Sequence, residues 1–287
     1  MNNVAQLLAL RSFTELSARQ RARELLDAGS FRELIDPFAR VQSPWLEGQG
    51  IVPQADDGVV IARGTLDGQP AVVAAIEGAF QGGSMGEVGG AKIAGALELA
   101  AEDNRKGIPT RALLLLETGG VRLQEANLGL AAIAEIQAAI VDLQRYQPVV
   151  ALVAGPVGCF GGMSIAAGLC SYVLVTREAR LGLNGPQVIE QEAGIEEYDS
   201  RDRPFIWSLS GGEQRAATGL ADACLADDVA TLHGAVREYF AKGLPARPRS
   251  RRVADFLARL ASLDTREQID AAGVRCLYQG LNQGDAQ

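Results

Sequence analysis

The sequence predicts an α/β protein built from repeated units of strand, glycine-rich turn and helix. Apolar, β-branched runs at 113–116, 149–153 and 172–175 have the length of buried strands, and glycine turns follow the first two. Apolar residues at spacings of three and four after these turns indicate helices. Such alternation predicts parallel strands joined by helical crossovers, with ligands bound where strands end and helices begin.

The region before these units divides into an arm and a hairpin. The first forty residues have helical spacing until Asp36-Pro37 and Ser43-Pro44 interrupt it. Two short apolar runs on either side of Asp67-Gly68 then predict a β-hairpin, and a glycine turn at 81–90 leads into a helix. The predicted organisation is an N-terminal helical arm (1–57), a catalytic core (58–240) and a C-terminal linker and helix (241–287).

Composition excludes several classes of function. A net charge of -8 argues against nucleic-acid binding, which needs a basic face. None of the four cysteines forms a C-x2-C pair, so we expect buried thiols and no metal site. The N-terminus lacks the order of a secretory signal, which favours the cytoplasm. The uncharged stretch 146–176 contains two prolines and five glycines, which suits strand, turn and helix better than a membrane span.

Two glycine turns are candidates for an oxyanion hole. They are Gly119-Gly120 and Phe160-Gly161-Gly162, each leading toward a predicted helix. The N-terminus of a helix has unpaired N–H groups and a partial positive charge, and glycine lets another oxygen approach the backbone. We therefore predict these five residues as the catalytic set, with simple tight turns as the alternative.

Five motifs follow one another along the chain: Gly82-Gly83-Ser84-Met85-Gly86-Glu87-Val88 with Lys92-Ile93, Thr118-Gly119-Gly120-Val121-Arg122-Leu123-Gln124-Glu125, Gly155-Pro156, Gly161-Gly162 and Gly185-Pro186-Gln187-Val188-Ile189-Glu190-Gln191. In this order they resemble the carboxyltransferase branch of the crotonase superfamily, and the likeness covers roughly residues 16–228. The chain also lacks the zinc-ribbon cysteines of acetyl-CoA carboxylase β chains, which makes it most similar to the β-subunit family of biotin-independent malonate decarboxylases.

The resemblance implies a crotonase-like ββα superhelix with oxyanion holes at the two glycine turns. It also implies decarboxylation of a malonyl thioester on an acyl carrier protein to an acetyl thioester. No cofactor would be bound by this chain, since the substrate arrives on a phosphopantetheine-type arm. The implied partners are a homologous γ subunit that completes the active site, the acyl carrier protein and an acyl-carrier-protein transferase subunit.

Seven further residues are predicted to bind substrate, six because they lie in the same motifs and Cys159 because it lies beside Phe160. For some of them a purely structural role is the alternative: Arg122 can pair with Glu125 across one helical turn, and Cys159 can be a small packed residue. The predicted substrate-binding residues are Gly83, Ser84, Glu87, Arg122, Cys159, Gly185 and Pro186.

Three other functions remain open from the sequence. The same motifs fit the β chain of a biotin-dependent acyl-CoA carboxyltransferase, and a scaffold subunit without catalysis could retain them. Residues 82–86 fit G-x-S-x-G, so a serine hydrolase would use Ser84 with His233 and either Asp142 or Asp199.

The arginines at 247, 249, 251 and 252 could receive an acidic carrier or form a solvated linker.

Overall fold

A seven-stranded mixed sheet forms the centre of the part of the chain that the structure describes. The computed structural model describes residues 10–264, 266 and 269–278. The strands follow one another across the sheet in chain order, antiparallel from β1 to β3 and parallel from β3 to β7. They are β1 (Arg32–Leu34), β2 (Val59–Leu66), β3 (Gln69–Ile76), β4 (Arg111–Leu116), β5 (Val149–Val153), β6 (Tyr172–Thr176) and β7 (Ala223–Leu225).

Helices cover both faces of this sheet. Pro37–Ala39, Glu47–Gln49, Gln81–Gly83, Leu123–Glu125 and Arg249–Arg252 form short 3-10 turns. None of the helices in the described ranges is both long and apolar enough to cross a membrane. The α-helices are α1 (Ala18–Leu25), α2 (Glu87–Arg105), α3 (Asn127–Leu143), α4 (Gly162–Leu169), α5 (Pro186–Ala193), α6 (Arg203–Ser210), α7 (Gly212–Ala217), α8 (Val229–Ala241), α9 (Val253–Ala261) and α10 (Ala271–Tyr278).

The parallel strands are apolar throughout because each contributes side chains to two cores. In β4, Leu114 and Leu116 pack with α2, α3 and α4, whereas Leu113 and Leu115 pack on the opposite face with α1 and α8. Successive strand residues point to opposite faces, so a strand that is buried on both faces has no polar alternation. This explains why continuous apolar runs, rather than alternating ones, marked these strands in the sequence.

The β2–β3 hairpin closes through Asp67-Gly68, as predicted. Both residues have positive φ, 53° and 71°, which is the requirement of a type I′ turn. The preceding arm contains a strand as well as a helix: α1 packs on the sheet, and β1 pairs with β2. Residues 1–9 of the predicted arm, and residues 265, 267–268 and 279–287 of the predicted C-terminal segment, lie outside the described residues.

A second, shorter ladder crosses the turns that follow the parallel strands. Met85 bridges Val121, and Cys159 bridges both Thr118 and Leu181, all in parallel orientation. Each unit therefore contains a long strand, a short bridged segment and a helix. This is the repeating ββα arrangement that the resemblance to the crotonase superfamily implied.

Candidate active site

The two predicted oxyanion turns touch each other. A Cβ atom on Gly120 would lie 3.5 Å from Gly161 Cα, and one on Gly161 would lie 3.0 Å from Gly120 Cα. Both residues have positive φ, 119° and 62°, which side chains disfavour. Glycine at these positions therefore permits both the backbone conformation and the close approach of the turns after β4 and β5.

Four of the five predicted residues use their N–H groups in hydrogen bonds within the chain. Gly119, Phe160 and Gly161 donate to backbone carbonyls of neighbouring turns at 2.7 to 3.0 Å. The Gly120 N–H donates to Thr118 Oγ1 at 3.1 Å. Of the predicted set, only Gly162 lacks an acceptor for its N–H among the described residues, and the catalytic role of the five stays a prediction.

Val121 and Gly162 carry the N–H groups that remain available at this contact. Neither has an acceptor among the described residues, and both residues are partly exposed. The Val121 nitrogen lies 3.6 Å from the position that a Gly161 Cβ would occupy, so it borders the second turn. Gly162 is the first residue of α4, where helix N–H groups lack intrahelical partners and the helix dipole is positive.

Glu117 holds the loops around this contact in place. It is buried, forms an ion pair with Arg21 of α1, and accepts a 3.4 Å hydrogen bond from the Val157 N–H. Gly78 and Gly155 pack so closely on its side chain that a Cβ atom on either would overlap it. The arm thus supports the end of β4, a role that the sequence analysis did not assign.

A cavity of about 520 Å³ opens beside the second turn. Four predicted site residues line it together: Gly119, Phe160, Gly185 and Pro186. Gly185 and Pro186 contribute because α5 begins there. The cavity therefore joins residues from the turn after β4, the turn after β5 and the loop after β6, as expected for a site at the carboxyl ends of parallel strands.

Arg180 also lines this cavity. Its guanidinium lies between two rings, 5.5 Å from the centroid of Phe160 and 4.7 Å from that of Trp207. One terminal nitrogen, Nη2, donates to Pro156 O at 2.7 Å. A cation held by two rings and a carbonyl is a fixed charge next to the candidate oxyanion turns.

The first glycine turn is a packed structural element. Gly83 is buried, and a Cβ atom there would overlap the carbonyl oxygen of Glu117. Glu87 accepts a 2.9 Å hydrogen bond from the indole of Trp45 in the arm. Ser84 Oγ lies 3.3 Å from Arg122 Nε. Gly83, Ser84 and Glu87 thus each have a partner within the chain.

Arg122 is a buried ion-pair residue, and its predicted contact with substrate stays a prediction. Its side chain is 1 % exposed and donates to Asp57 at 2.7 Å and Glu125 at 2.9 Å. The Phe80 ring centroid lies 5.3 Å from the guanidinium carbon. Burial raises the pKa of the Asp57 carboxyl, which the charge of Arg122 opposes. The ion pair with Glu125, the alternative raised from the sequence, is confirmed.

Cys159 faces the core and does not line the cavity. Its side chain packs with the α2, α3 and α4 face of the sheet, and it is completely buried. Burial raises the pKa of its thiol, because the charged thiolate is disfavoured away from water. The packing role raised as the alternative from the sequence accounts for its position, and its predicted contact with substrate stays a prediction.

Comparison with known proteins identifies the family. The sequence profile of the carboxyl transferase domain matches residues 12–267. The chain belongs to this family. Malonyl-S-ACP:biotin-protein carboxyltransferase MADC from Malonomonas rubra is 38% identical over 229 residues, which are 76% of this chain and 72% of that protein.

Solved carboxyl transferase structures agree with the fold. A chain of a Pseudomonas malonate decarboxylase hetero-tetramer in complex with malonate is 86% identical, with a TM-score of 0.94, 96% of this chain covered and 100% of that chain. A chain of the Pseudomonas malonate decarboxylase MdcD-MdcE hetero-dimer is 75% identical, with a TM-score of 0.77 and coverage of 90% and 100%. The transcarboxylase 12S structure is 28% identical, with a TM-score of 0.66 and coverage of 79% and 41%. The predicted resemblance and fold class are thus confirmed.

The serine hydrolase alternative is not supported by this carboxyl transferase fold. His233, the single histidine of the sequence, lies on α8, whose apolar side packs on the opposite sheet face from Met85. Arg237, four residues after His233 on α8, forms an ion pair with Asp67 of the β2–β3 hairpin. The histidine therefore lies beside the β2–β3 hairpin and not beside Ser84.

The four arginines before α9 have different surroundings. Arg249 pairs with Asp222 and donates to Gly219 O at 3.0 Å, while Arg252 is buried. Arg247 and Arg251 are exposed, and Arg247 pairs with Asp255 at 2.7 Å within the C-terminal segment. The contacts of Arg249 attach this segment to the predicted core. Among the described residues, no group of histidine, cysteine and carboxylate side chains could hold a metal ion.

Arg180 is the site residue that the sequence analysis missed. It follows β6, and the principle that ligands bind beyond the carboxyl ends of parallel strands could have indicated the loop. The sequence offered no reason to choose Arg180 over Arg177, which lies three residues earlier and forms an exposed ion pair with Glu213.

Proposed function

We propose that this chain is the subunit of a biotin-independent enzyme that decarboxylates a malonyl thioester on an acyl carrier protein. The observation that carries the proposal is the contact between Gly120 and Gly161, next to which Val121 and Gly162 each have a backbone N–H without an acceptor among the described residues. The 86% identity to a chain of a malonate decarboxylase structure supports the choice of reaction.

The chemistry needs a stabilised enolate. The bond between the carboxylate carbon and the α-carbon breaks, carbon dioxide leaves, and the electron pair moves onto the thioester oxygen. Protonation of the α-carbon then gives the acetyl thioester. N–H groups aimed at the thioester oxygen bind it more strongly as its charge grows, so they lower the barrier to carbon dioxide loss. The positive end of the α4 dipole adds to this effect.

A homologous γ subunit completes the site in this proposal. Leu123, two residues after Val121, is 81 % exposed, and Leu130 at the start of α3 is 53 % exposed. Large apolar side chains exposed together mark surfaces that a protein partner covers. The two Pseudomonas malonate decarboxylase structures are a hetero-dimer and a hetero-tetramer, which supports an obligate partner.

The acyl group arrives from outside this chain on a phosphopantetheine-type arm. The cavity of about 520 Å³ can take the acyl end of such an arm, and it opens between the loops after three neighbouring strands. The proposal assigns no cofactor to this chain, and it requires the acyl carrier protein and its transferase subunit as further partners. The Malonomonas rubra relative, whose name states a malonyl-S-ACP substrate, supports this form of delivery.

The decisive test compares two substitutions that add the same Cβ atom but differ in whether the N–H group remains. Gly162→Pro deletes the donor at the first helical position, where proline fits a helix. Gly162→Ala is the matched control, because both substitutions place a Cβ 2.9 Å from Ile133 Cγ2 but alanine keeps the N–H. In the complex with the γ subunit, we expect carbon dioxide release by the proline variant to fall on the order of a hundredfold below that of the alanine variant. Equal rates would refute the assignment of this donor.

Carboxyl transfer to biotin is the second candidate. The name of the Malonomonas rubra relative states transfer from malonyl-S-ACP to a biotin protein, which favours it. We expect avidin to leave carbon dioxide release unchanged, and added biotin carrier to be unnecessary. Loss of activity on adding avidin would establish the transferase instead.

A further inference from the structure

Resting on the proposed function, we infer that Arg180 forms an anion-binding site for a charged group of the incoming acyl thioester. The group is either the carboxylate of the malonyl unit or a phosphate of the carrier arm. Both offer two coplanar oxygens to a guanidinium, so the recognition chemistry is the same. The Arg180 side chain is thereby a specificity determinant that is separate from the oxyanion donors.

The position of Arg180 supports this assignment. Its side chain borders the same cavity as Gly119, Phe160 and Gly185. It also borders a second cavity of about 560 Å³, which Arg203 and the carboxylates Glu15 and Glu178 line as well. No ion pair joins Arg180 to either carboxylate. Arg180 thus lies between two cavities, one of which borders the candidate oxyanion turns.

The charge of Arg180 lacks a counterion among the described residues. No carboxylate lies within ion-pair distance, and the buried Nε has no hydrogen-bond partner there. The partners of the guanidinium are two backbone carbonyls, Pro156 O at 2.7 Å and Val157 O at 3.3 Å, both bonded to Nη2. Burial lowers the pKa of this guanidinium, and the neighbouring charge of Arg203 acts in the same direction.

A partly buried cation without a counterion is costly unless a ligand supplies one. Removing charge from water costs several kcal/mol, and the attraction of an opposite charge offsets that cost. Aromatic rings on two sides hold the guanidinium in one orientation, so little entropy is lost when an anion binds. The neighbouring Arg177 shows the contrast: its side chain is 73 % exposed and already pairs with Glu213 at 2.8 Å.

The test measures binding without turnover in the complex with the γ subunit. The ligands are malonyl and acetyl amides of pantetheine, each with and without the 4′-phosphate, because an amide in place of the thioester slows loss of carbon dioxide. Dissociation constants are measured by calorimetry for the wild type, Arg180→Gln, Arg180→Lys and the control Arg177→Gln. Unfolding midpoints establish that each variant is folded.

If the anion is the carboxylate, Arg180→Gln weakens both malonyl amides by about tenfold or more and leaves the acetyl amides unchanged. If the anion is the phosphate, Arg180→Gln weakens binding of both phosphorylated amides and leaves binding of the two amides without phosphate unchanged. Arg180→Lys keeps the charge without the two-pronged geometry, so it weakens the same ligands less, and Arg177→Gln changes none. The proposal would be overturned if Arg180→Gln bound all four ligands as tightly as the wild type does. Should the glutamine variant not fold, the same result for Arg180→Lys would overturn it.

Failure of the wild-type complex to release carbon dioxide would count against the proposed function alone, since these binding constants do not depend on it.

Discussion

The turn at 81–86 and the turn at 155–162 are both rich in glycine but have different surroundings. In the first, Gly83 packs against the backbone of Glu117, and Ser84 contacts the buried Arg122. In the second, Phe160 borders an open cavity and Gly162 presents an unpartnered N–H at the start of α4. The first turn uses glycine to let protein segments pack, and the second leaves space and donors for a ligand.

This difference shows that glycine content alone does not identify a site. A glycine without a Cβ permits close approach, but the approaching group can be protein backbone or substrate oxygen. The deciding property is whether the N–H groups of the turn are already bonded within the chain. On this criterion the candidate site lies at Val121 and Gly162, and the following predictions test the contrast between the two turns.

The largest effect is expected for Gly83→Ala. A Cβ there would overlap the Glu117 carbonyl oxygen, and φ is +66°, so both packing and backbone are disturbed. We expect a loss of more than about 5 kcal/mol in the free energy of unfolding. Gly82→Ala is the control, since its φ of +63° is similar but no atom lies within 4 Å of the new Cβ, and it should cost about 1–2 kcal/mol. Urea unfolding measures both, and equal losses would show that the first turn is not tightly packed.

An intermediate effect is expected for Arg122→Met. It leaves the buried carboxylates of Asp57 and Glu125 without their cation, which typically costs about 3 to 5 kcal/mol. Arg180→Gln, which breaks no ion pair among the described residues, should cost less than about 1 kcal/mol. Urea unfolding of the two variants compares a structural arginine with one that faces a cavity. A larger loss of unfolding free energy for Arg180→Gln than for Arg122→Met would contradict the structural role assigned to Arg122.

No effect is expected when native protein is treated with a thiol reagent at Cys159. The side chain is fully buried, and burial raises the pKa of its thiol, so raising the pH to about 8.5 does not generate the reactive thiolate there. Exposed Cys276 should be modified first. Mass spectrometry of iodoacetamide-treated protein identifies the modified residue. Rapid modification of Cys159 would contradict the burial of its side chain.

The sequence predicted the strands and most helices because local patterns suffice for them. β5 has the predicted limits, 149–153, and α3 follows the Gly119-Gly120 turn as the predicted order of elements requires. β1 and β7 escaped prediction because strands of three residues carry no periodic signal. Their positions depend on pairing with β2 and β6, which is tertiary information.

The site was only partly predictable for a related reason. The two glycine turns could be selected from the sequence, but hydrogen bonds to distant carbonyls decide which N–H groups are free. Gly161, for example, donates to Leu183 O, 22 residues further along the chain. Likewise, Arg122 and Arg180 are both arginines near glycine turns, and only packing shows that one has carboxylate partners and the other has none within the described residues.

The most direct measurement is a structure of the complex with the γ subunit bound to a malonyl amide of phosphopantetheine. The account predicts that the acyl carbonyl oxygen lies within about 2.7–3.1 Å of both the Val121 and the Gly162 backbone nitrogens. A carbonyl oxygen bound elsewhere, with these two N–H groups facing water or the partner chain, would contradict it.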